Sequence, residues 1–548
     1  MTPNHPPAPP LRPARDALWR LRHLAVLVPF LLLLTTGLRG IDFGVQWDED
    51  LHLGRARTVG ESGSLLPNAY AYPTLCHWLS VAPIVPLALA AWRDDQPAAR
   101  PALRTLRMLA ERADTIQYRL QTRRLFLFIA SLTVLWTYLA VVLARRSWGE
   151  GLLAASLVAT SFEFATHARW IAPDAVVTSF AALCLACALG ALRQPRARPL
   201  LLASAVAAGI ACGTKYNAGL LLLVVLLAAV ATRRRHGGAV RWAAFTAGLV
   251  AAFGLTVLLT TPGIVLEPRR FLADLHAEID HYSSFHSYTG TASVYNVTPG
   301  DAHRRRIATW LAEAFFSPHR PVALGFTALA ALGAASLLRR PRWAASVLLA
   351  LPIAYLGFFS TRAIMMVRNL LLVAPFFALL AARGGAALYG ALPWRAWRVA
   401  VVVALAVPIA LDARYLIDAA EGVAMRREHP CVEALDRALR ADPAGRYMVT
   451  AAVVAAFHDR SIALPPNASV LPVRGQRGVV VLLSECPETA RNEKWGPVGP
   501  RMLTWFGPRE VNLNDYPTWR AEVDRAVLLT HEQAVRFGVC PDCANPLP

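Results

Sequence analysis

Lysine is almost missing from this 548-residue chain. Lys215 and Lys494 are the two that occur among 56 basic residues, and the rest are arginine. Charge of any kind is scarce. Charged residues make up 17% of the chain, where soluble domains usually carry about 25%. Hydrophobic residues make up 55%, and the mean hydropathy is +0.39. These shortages exclude one soluble domain of this length. Acidic residues are scarcer than basic ones, 36 against 56, which leaves a formal charge of +20. Such a balance can mark nucleic-acid binding. Here the arginines sit instead in short gaps between apolar runs: "LARRSWG", "RQPRARP", "ATRRRHGG", "LLRRPRW", "PWRAWR". That is the positive-inside pattern of cytoplasmic loops, and no nucleic-acid partner is expected.

What is present is a series of apolar runs of about 15–20 residues, each long enough for a spanning helix. Residues 1–22 are rich in Pro and Arg and read as a disordered cytoplasmic tail. The first apolar run has no small-x-small cleavage site after it, so it reads as a retained helix. Fixing the arginine loops inside gives about eleven spans. They cover about 23–39, 124–144, 149–165, 175–192, 199–213, 217–232, 242–261, 321–338, 344–360, 369–389 and 397–412. The external loops are then 40–123 and 262–320. Residues 72–92 are apolar but fit no ordinary span in this count, so they read as a juxtamembrane or re-entrant helix.

Residues 413–548 are less hydrophobic. "YMVTAAVVAAF" and "GVVVLLSE" read as buried strands, which predicts a small extracytoplasmic α/β domain. The fold class is therefore an all-α polytopic membrane protein with a small C-terminal α/β domain. Four of the eight cysteines lie in that domain: Cys431, Cys486, Cys540 and Cys543. An oxidising compartment would pair them as disulfides. "CPDC" has the spacing of half a zinc site but lacks a second close pair. Cys184, Cys187 and Cys212 fall inside spans and read as small core residues.

The unusual polar residues all fall on the external face of this topology. Asp48, Glu49 and Asp50 follow the first span. His77 lies in the juxtamembrane stretch. His167, Arg169 and Asp174 follow the third span, and Lys215 and Tyr216 follow the fifth. His276, His281 and His286 lie in the second long loop, and Arg362 and Arg368 follow the ninth span. Charges at a membrane boundary are costly unless paired or wet. An arginine there can be an anchor whose stem snorkels to water. A carboxylate has too short a stem for that, and its plain structural alternative is a salt bridge such as Asp174 with Arg169. A carboxylate can also act as general base on a hydroxyl, and cations can stabilise a phosphate leaving group.

These stretches resemble motifs of one group of enzymes. "WDED" is similar to the Asp-Glu motif in the first external loop of GT-C glycosyltransferases. "YPTLCHWL", "ARWIAPDA", "GIACGTKYNAGLLLL" and "RAIMMVRNLLLVAPFFALLAA" resemble later motifs of the group, in the right order over about residues 20–412. The resemblance is to glycosyltransferase family 39 and its relatives, the protein O-mannosyltransferases and aminoarabinose (lipid A) transferases. It implies transfer of a hexosyl or pentosyl group from a polyprenyl-phosphate-linked donor to a hydroxyl on a lipid, protein or polysaccharide acceptor. The setting would be the external face of a bacterial plasma membrane. It also implies roles: Asp48 as the catalytic carboxylate, Glu49 in support, and Asp174 as the second acidic residue. Arg169, Lys215, Tyr216, Arg362 and Arg368 would serve the lipid phosphate and substrate. His281 and His286 stand where some relatives bind a divalent metal. The chain departs from the pattern at Thr74, at Asn369 where Tyr is usual, and in an extended first loop. A transporter or lipid flippase would place polar residues and broken helices at mid-membrane depth, and the spans here are nearly pure Ala, Leu and Val. A GT-C-type glycan ligase or polymerase and a non-enzymatic scaffold are the other readings.

Overall fold

A computed structural model describes residues 21–43, 47–86, 89, 101–195, 197–235, 238–283, 299–339, 343–362 and 367–428, with shorter pieces up to residue 529. The N-terminal tail before residue 21, His286 and all four tail cysteines lie outside the described residues. Among the described residues, eight helices are long and apolar enough to cross a membrane. They are α1 (Arg22–Arg39), α5 (Ile116–Arg145), α8 (Pro173–Arg193), α10 (Tyr216–Arg235), α11 (Ala239–Thr260), α14 (Arg320–Leu338), α16 (Val367–Ala391) and α17 (Arg395–Glu428). Three shorter apolar helices fill the other expected positions: α6 (Trp148–Ala159), α9 (Ala197–Cys212) and α15 (Trp343–Phe359). The eleven expected positions thus carry helices, but the span expected at 149–165 is broken: its helix stops at Ala159, at 12 residues too short to cross a bilayer, and a separate one starts at Phe162. The chain is a multi-pass membrane protein.

Of the helices between the spans, the apolar pattern anticipated one, Leu75–Ile84, which falls within the stretch 72–92 expected to be helical. Residues 40–123 carry α2 (Trp47–Ser62), α3 (Leu75–Ile84) and α4 (Pro101–Arg112). The short α7 (Phe162–His167) lies between α6 and α8, while α12 (Pro268–Ser283) and α13 (Asp301–Glu313) follow α11. The span expected at 124 starts eight residues earlier, because Thr115 caps α5 by accepting from Tyr118 N–H. Its other end stops at Arg146, which takes a left-handed conformation at φ 57°. Ser147 then caps α6 by accepting from Glu150 N–H, three residues on.

The central helix is α8, with 83% of its apolar window buried. It packs on α5 and α9. Helices α11 and α17 are peripheral, with 6% and 11% of their windows buried. Small residues let the backbones close up. Gly333 of α14 faces the Leu380 carbonyl of α16, and Gly384 of α16 faces the Leu329 carbonyl of α14. Cys184 and Cys187 are buried on α8, and Cys184 Sγ lies 3.3 Å from Ser204 Oγ of α9. Arginines at the far ends of the spans bind carbonyls there. Arg193 donates to Ala144 O, and Arg235 donates to Ala191, Leu192 and Gln194. Beyond the bundle, four strands form a sheet: β1 (Tyr447–Val449), β2 (Ala468–Val470), β3 (Val479–Leu483) and β4 (Ala526–Leu529). Their order is β2-β1-β3-β4, with β4 antiparallel and the other pairs parallel. β1 and β3 lie in the two stretches expected to be strands.

Candidate functional site

The acidic run opens α2. Asp48, Glu49 and Asp50 occupy its first turn, where carboxylates suit the helix dipole. The helix sorts them by direction. Asp48 and Glu49 are buried, with one face continuing through His52, Leu53, Ala56 and Val59, whereas Asp50 is exposed and pairs with Arg119 at 2.9 Å.

Asp48 forms an ion pair with Arg368, in the first turn of α16. Arg368 Nε also lies 3.8 Å from Asp174 Oδ2, at the start of α8. Asp174 Oδ1 accepts from Lys215 Nζ at 2.6 Å, and Lys215 donates further to Asn369 Oδ1 at 2.8 Å. One network therefore links four places in the chain: 48, 174, 215 and 368–369. Every member is buried. Lys215 reaches in because residues 213–215 break the path between α9 and α10. Its own backbone is extended, and the α3 start is tied to the same turn by Leu75 N–H donating to Gly213 O at 3.2 Å. Burial pushes the Asp48 carboxyl above its usual range, and Arg368 opposes this only in part. Burial would lower Lys215, but the Asp174 carboxylate outweighs it and holds the ammonium above its usual value. Tyr72 and Tyr282 are both half-buried within electrostatic reach of these charges, and burial raises both phenols.

Glu49 is placed apart from this network. Arg123 of α5 donates to it through two nitrogens, at 2.9 and 2.5 Å, and Ile171 N–H donates at 3.1 Å. Both side chains are fully buried. Arg123 also donates to Ile41 O at 2.8 Å and covers the Phe43 ring at 3.9 Å. Glu49 thus joins α2 to α5 and fixes the direction in which Asp48 points.

Other expected residues have different partners. Arg169 donates to Gly40 O at 3.0 Å and faces Phe43, so the Asp174–Arg169 pair does not form. Burial and the nearby Arg123 lower Arg169 to about 10. Tyr216 donates to Tyr70 O at 2.8 Å, and Arg362 donates to Ser283 Oγ and covers Phe358. The structure brings Lys215 and Arg368 into the network and keeps Arg169, Tyr216 and Arg362 outside it. His167 Nδ1 donates to Glu163 O, 2.8 Å away, and its ring lies 4.2 Å from that of Trp170, tilted by 54°. His52 and His77 face each other with Nδ1 atoms 3.3 Å apart, so one ring carries hydrogen there and the other accepts. Burial lowers His52 and His167 to about 4, and lowers His77 well below its usual value.

His281 stands beside Tyr282, and burial lowers its imidazole. His286 lies outside the described residues. Among the described residues no three His, Cys, Asp or Glu side chains group in a way that fits a metal ion. The sequence reading missed Arg123, Tyr72 and Tyr282 as parts of the site. Asn369 was noticed as a departure from the family pattern, and that departure was its signal.

These features define a polytopic helical membrane protein with a buried, charge-balanced site at one end of its bundle. Residues 117–262 match the family model of the dolichyl-phosphate-mannose-protein mannosyltransferases. The resemblance read from the sequence is borne out over that stretch, which holds Arg123, Asp174 and Lys215. Among solved structures the chain is similar to ArnT from Cupriavidus metallidurans bound to undecaprenyl phosphate. The identity is 18% and the TM-score 0.43, covering 75% of this chain and 72% of that one. It is also similar to the oligosaccharyltransferase AglB from Archaeoglobus fulgidus in complex with an inhibitory peptide and a dolichol-phosphate. There the identity is 12% and the TM-score 0.41, covering 79% of this chain and 63% of that one. No curated protein matches the chain by sequence.

Proposed function

We propose that the protein transfers a sugar from a polyprenyl-phosphate-linked donor to a hydroxyl acceptor at the Asp48–Asp174 end of the bundle. In this reading that end faces the extracytoplasmic side of a bacterial plasma membrane. The N-terminus is then cytoplasmic, and the C-terminal domain shares the side of the site. The donor class comes from the family resemblance. The observation that carries the reading is the buried chain Asp48–Arg368–Asp174–Lys215, in which two carboxylates and two cations hold each other in place before any substrate arrives.

Asp48 is the general base. The acceptor oxygen attacks the anomeric carbon and its proton passes to Asp48. The bond from that carbon to the phosphate oxygen breaks, and the phosphate leaves with the electron pair. Lys215 and Arg368 stabilise the charge gathering on the leaving phosphate. Asp174 sets their positions, and Glu49 aims Asp48 through its pair with Arg123. The raised carboxyl of Asp48 suits a base that must hold a proton once it has taken it.

The test is transfer from a polyprenyl-phosphate sugar by the purified full chain in liposomes, read by mass spectrometry of the glycosylated product. Asp48→Asn should lower the rate by about 10²–10⁴-fold, the usual contribution of a general base. Full transfer by the Asn variant overturns the assignment of Asp48. Movement of a solute or lipid with no covalent product overturns the enzyme reading as a whole.

A further inference from the structure

A cavity lies away from the charged network. Its volume is ≈ 900 Å³, and α1, α6, α16 and α17 form its walls. That is near the top of the usual size range for ligand pockets, about 300–1,000 Å³. Its lining is apolar along most of its length, by residues such as Pro29, Leu153, Leu405 and Ile409. It runs from Trp148 to Thr160 along one wall. At the helical rise this is about 18 Å, slightly more than the roughly 15 Å hydrocarbon depth of one leaflet. One wall is α17, a peripheral helix only 11% buried in its apolar window, so a single helix separates the cavity from lipid on that side.

Charge is confined to one end. Arg145, Glu150 and Arg383 are the charged lining residues there. Glu150 lies 3.0 Å from Arg145 and 3.9 Å from Arg383, so two guanidiniums share one carboxylate. Arg146 is next in the chain and exposed. Trp148 and Tyr389 line the same end and are half exposed, as aromatic residues at a membrane–water boundary are. The cavity is therefore apolar over a leaflet's depth and carries an excess of positive charge at the level of the headgroups.

We propose that this groove binds an anionic phospholipid, with its phosphate beside Arg145 and Arg383 and its acyl chains between α17 and the rest of the bundle. The excess of guanidinium over carboxylate selects an anionic headgroup over a zwitterionic one. The site is separate from the proposed catalytic network and does not depend on what that network does.

The experiment uses the full chain, delipidated in mild detergent and mixed with vesicles of phosphatidylglycerol or of phosphatidylcholine. Native mass spectrometry reads the mass of what remains bound. Phosphatidylglycerol should be retained at least about tenfold more than phosphatidylcholine, a ratio within reach of one or two charge-assisted hydrogen bonds. Arg145→Ala with Arg383→Ala should remove that preference. Ala406→Phe fills the groove and leaves every charge in place, so it should remove bound lipid altogether, and it serves where the arginine variant does not fold. Equal retention of the two lipids overturns the proposal. So does unchanged retention in Ala406→Phe. A bound mass matching a polyprenyl phosphate or a second copy of the chain, rather than the phospholipid, overturns it too.

Discussion

Lys215 Nζ lies 2.6 Å from Asp174 Oδ1, and this contact joins the turn after α9 to the first turn of α8. Both groups are buried, so each is the other's counter-charge. Removing one leaves the other without its closest partner in a dry setting, at a cost of about 3–5 kcal/mol. Lys215→Met and Asp174→Asn should each lower the melting temperature and reduce sugar transfer by 100-fold or more, roughly the weight of one lost electrostatic contact in a transition state. The double variant should lose much less stability than the sum of the two. Additive losses in a double-mutant cycle would show that the pair does not act as a unit.

The Glu49–Arg123 pair makes a different prediction, because its carboxylate is occupied on all sides. Glu49→Gln should destabilise the protein by about 3–5 kcal/mol, the cost of stranding a buried arginine. Transfer measured on the protein that remains folded should fall less than in Asp48→Asn. Thermal unfolding and transfer per folded molecule separate the two effects. An unchanged melting point in Glu49→Gln sinks the account of this pair.

Much of this was legible in the sequence, and the reasons are physical. Spanning helices must be apolar over a fixed length, so the eleven runs and their arginine gaps stand out in the chain. Of the three carboxylates, the two that the family resemblance gave roles, Asp48 and Glu49, are the buried ones, and Asp50 is the exposed member. Lys215 stood out because the chain almost never uses lysine. The pairings were less visible. A one-dimensional pattern does not show that Arg123, counted at the edge of a span, turns inward to Glu49. It does not show that Arg169 spends its charge on the Gly40 carbonyl, leaving Asp174 to Lys215. Such choices depend on which helix ends meet in space. The helices α2 and α4 were hidden for a related reason: they are polar pieces within a loop whose length the span count fixed but whose structure it did not.

The buried histidines set an acid limit. His52 and His167 are lowered to about 4 by burial, so they stay neutral in the folded protein well below the ordinary histidine value. The unfolded chain takes up protons from about pH 6.5 downward, and the folded chain does so only near pH 4. Between those limits the unfolded state binds more protons, so stability falls as pH falls. Melting temperatures measured from pH 7 to pH 4 should decline across that window. The decline should be shallower in His52→Gln, which cannot protonate. An identical slope in the variant and the parent would rule out His52 as a contributor.

The last prediction concerns the close contact of α14 and α16. Gly333 and Gly384 each face a carbonyl of the opposite helix, and neither position has room for a side chain. The two helices can approach this closely only with hydrogen there. Gly384→Val must therefore push α16 away from α14 or break the contact, and overpacking of this kind costs about 1–3 kcal/mol. Because α16 also carries Arg368 and Asn369 in its first turn, the displacement should reach the charged network. Sugar transfer should fall in Gly384→Val although the residue lies four turns from Arg368 (about 24 Å at the helical rise). Gly325→Val is the control, since Gly325 of α14 meets nothing within 4 Å. Transfer by that variant should stay near the parent's. Equal losses in the two variants would mean that the effect comes from valine's helix propensity and not from the contact.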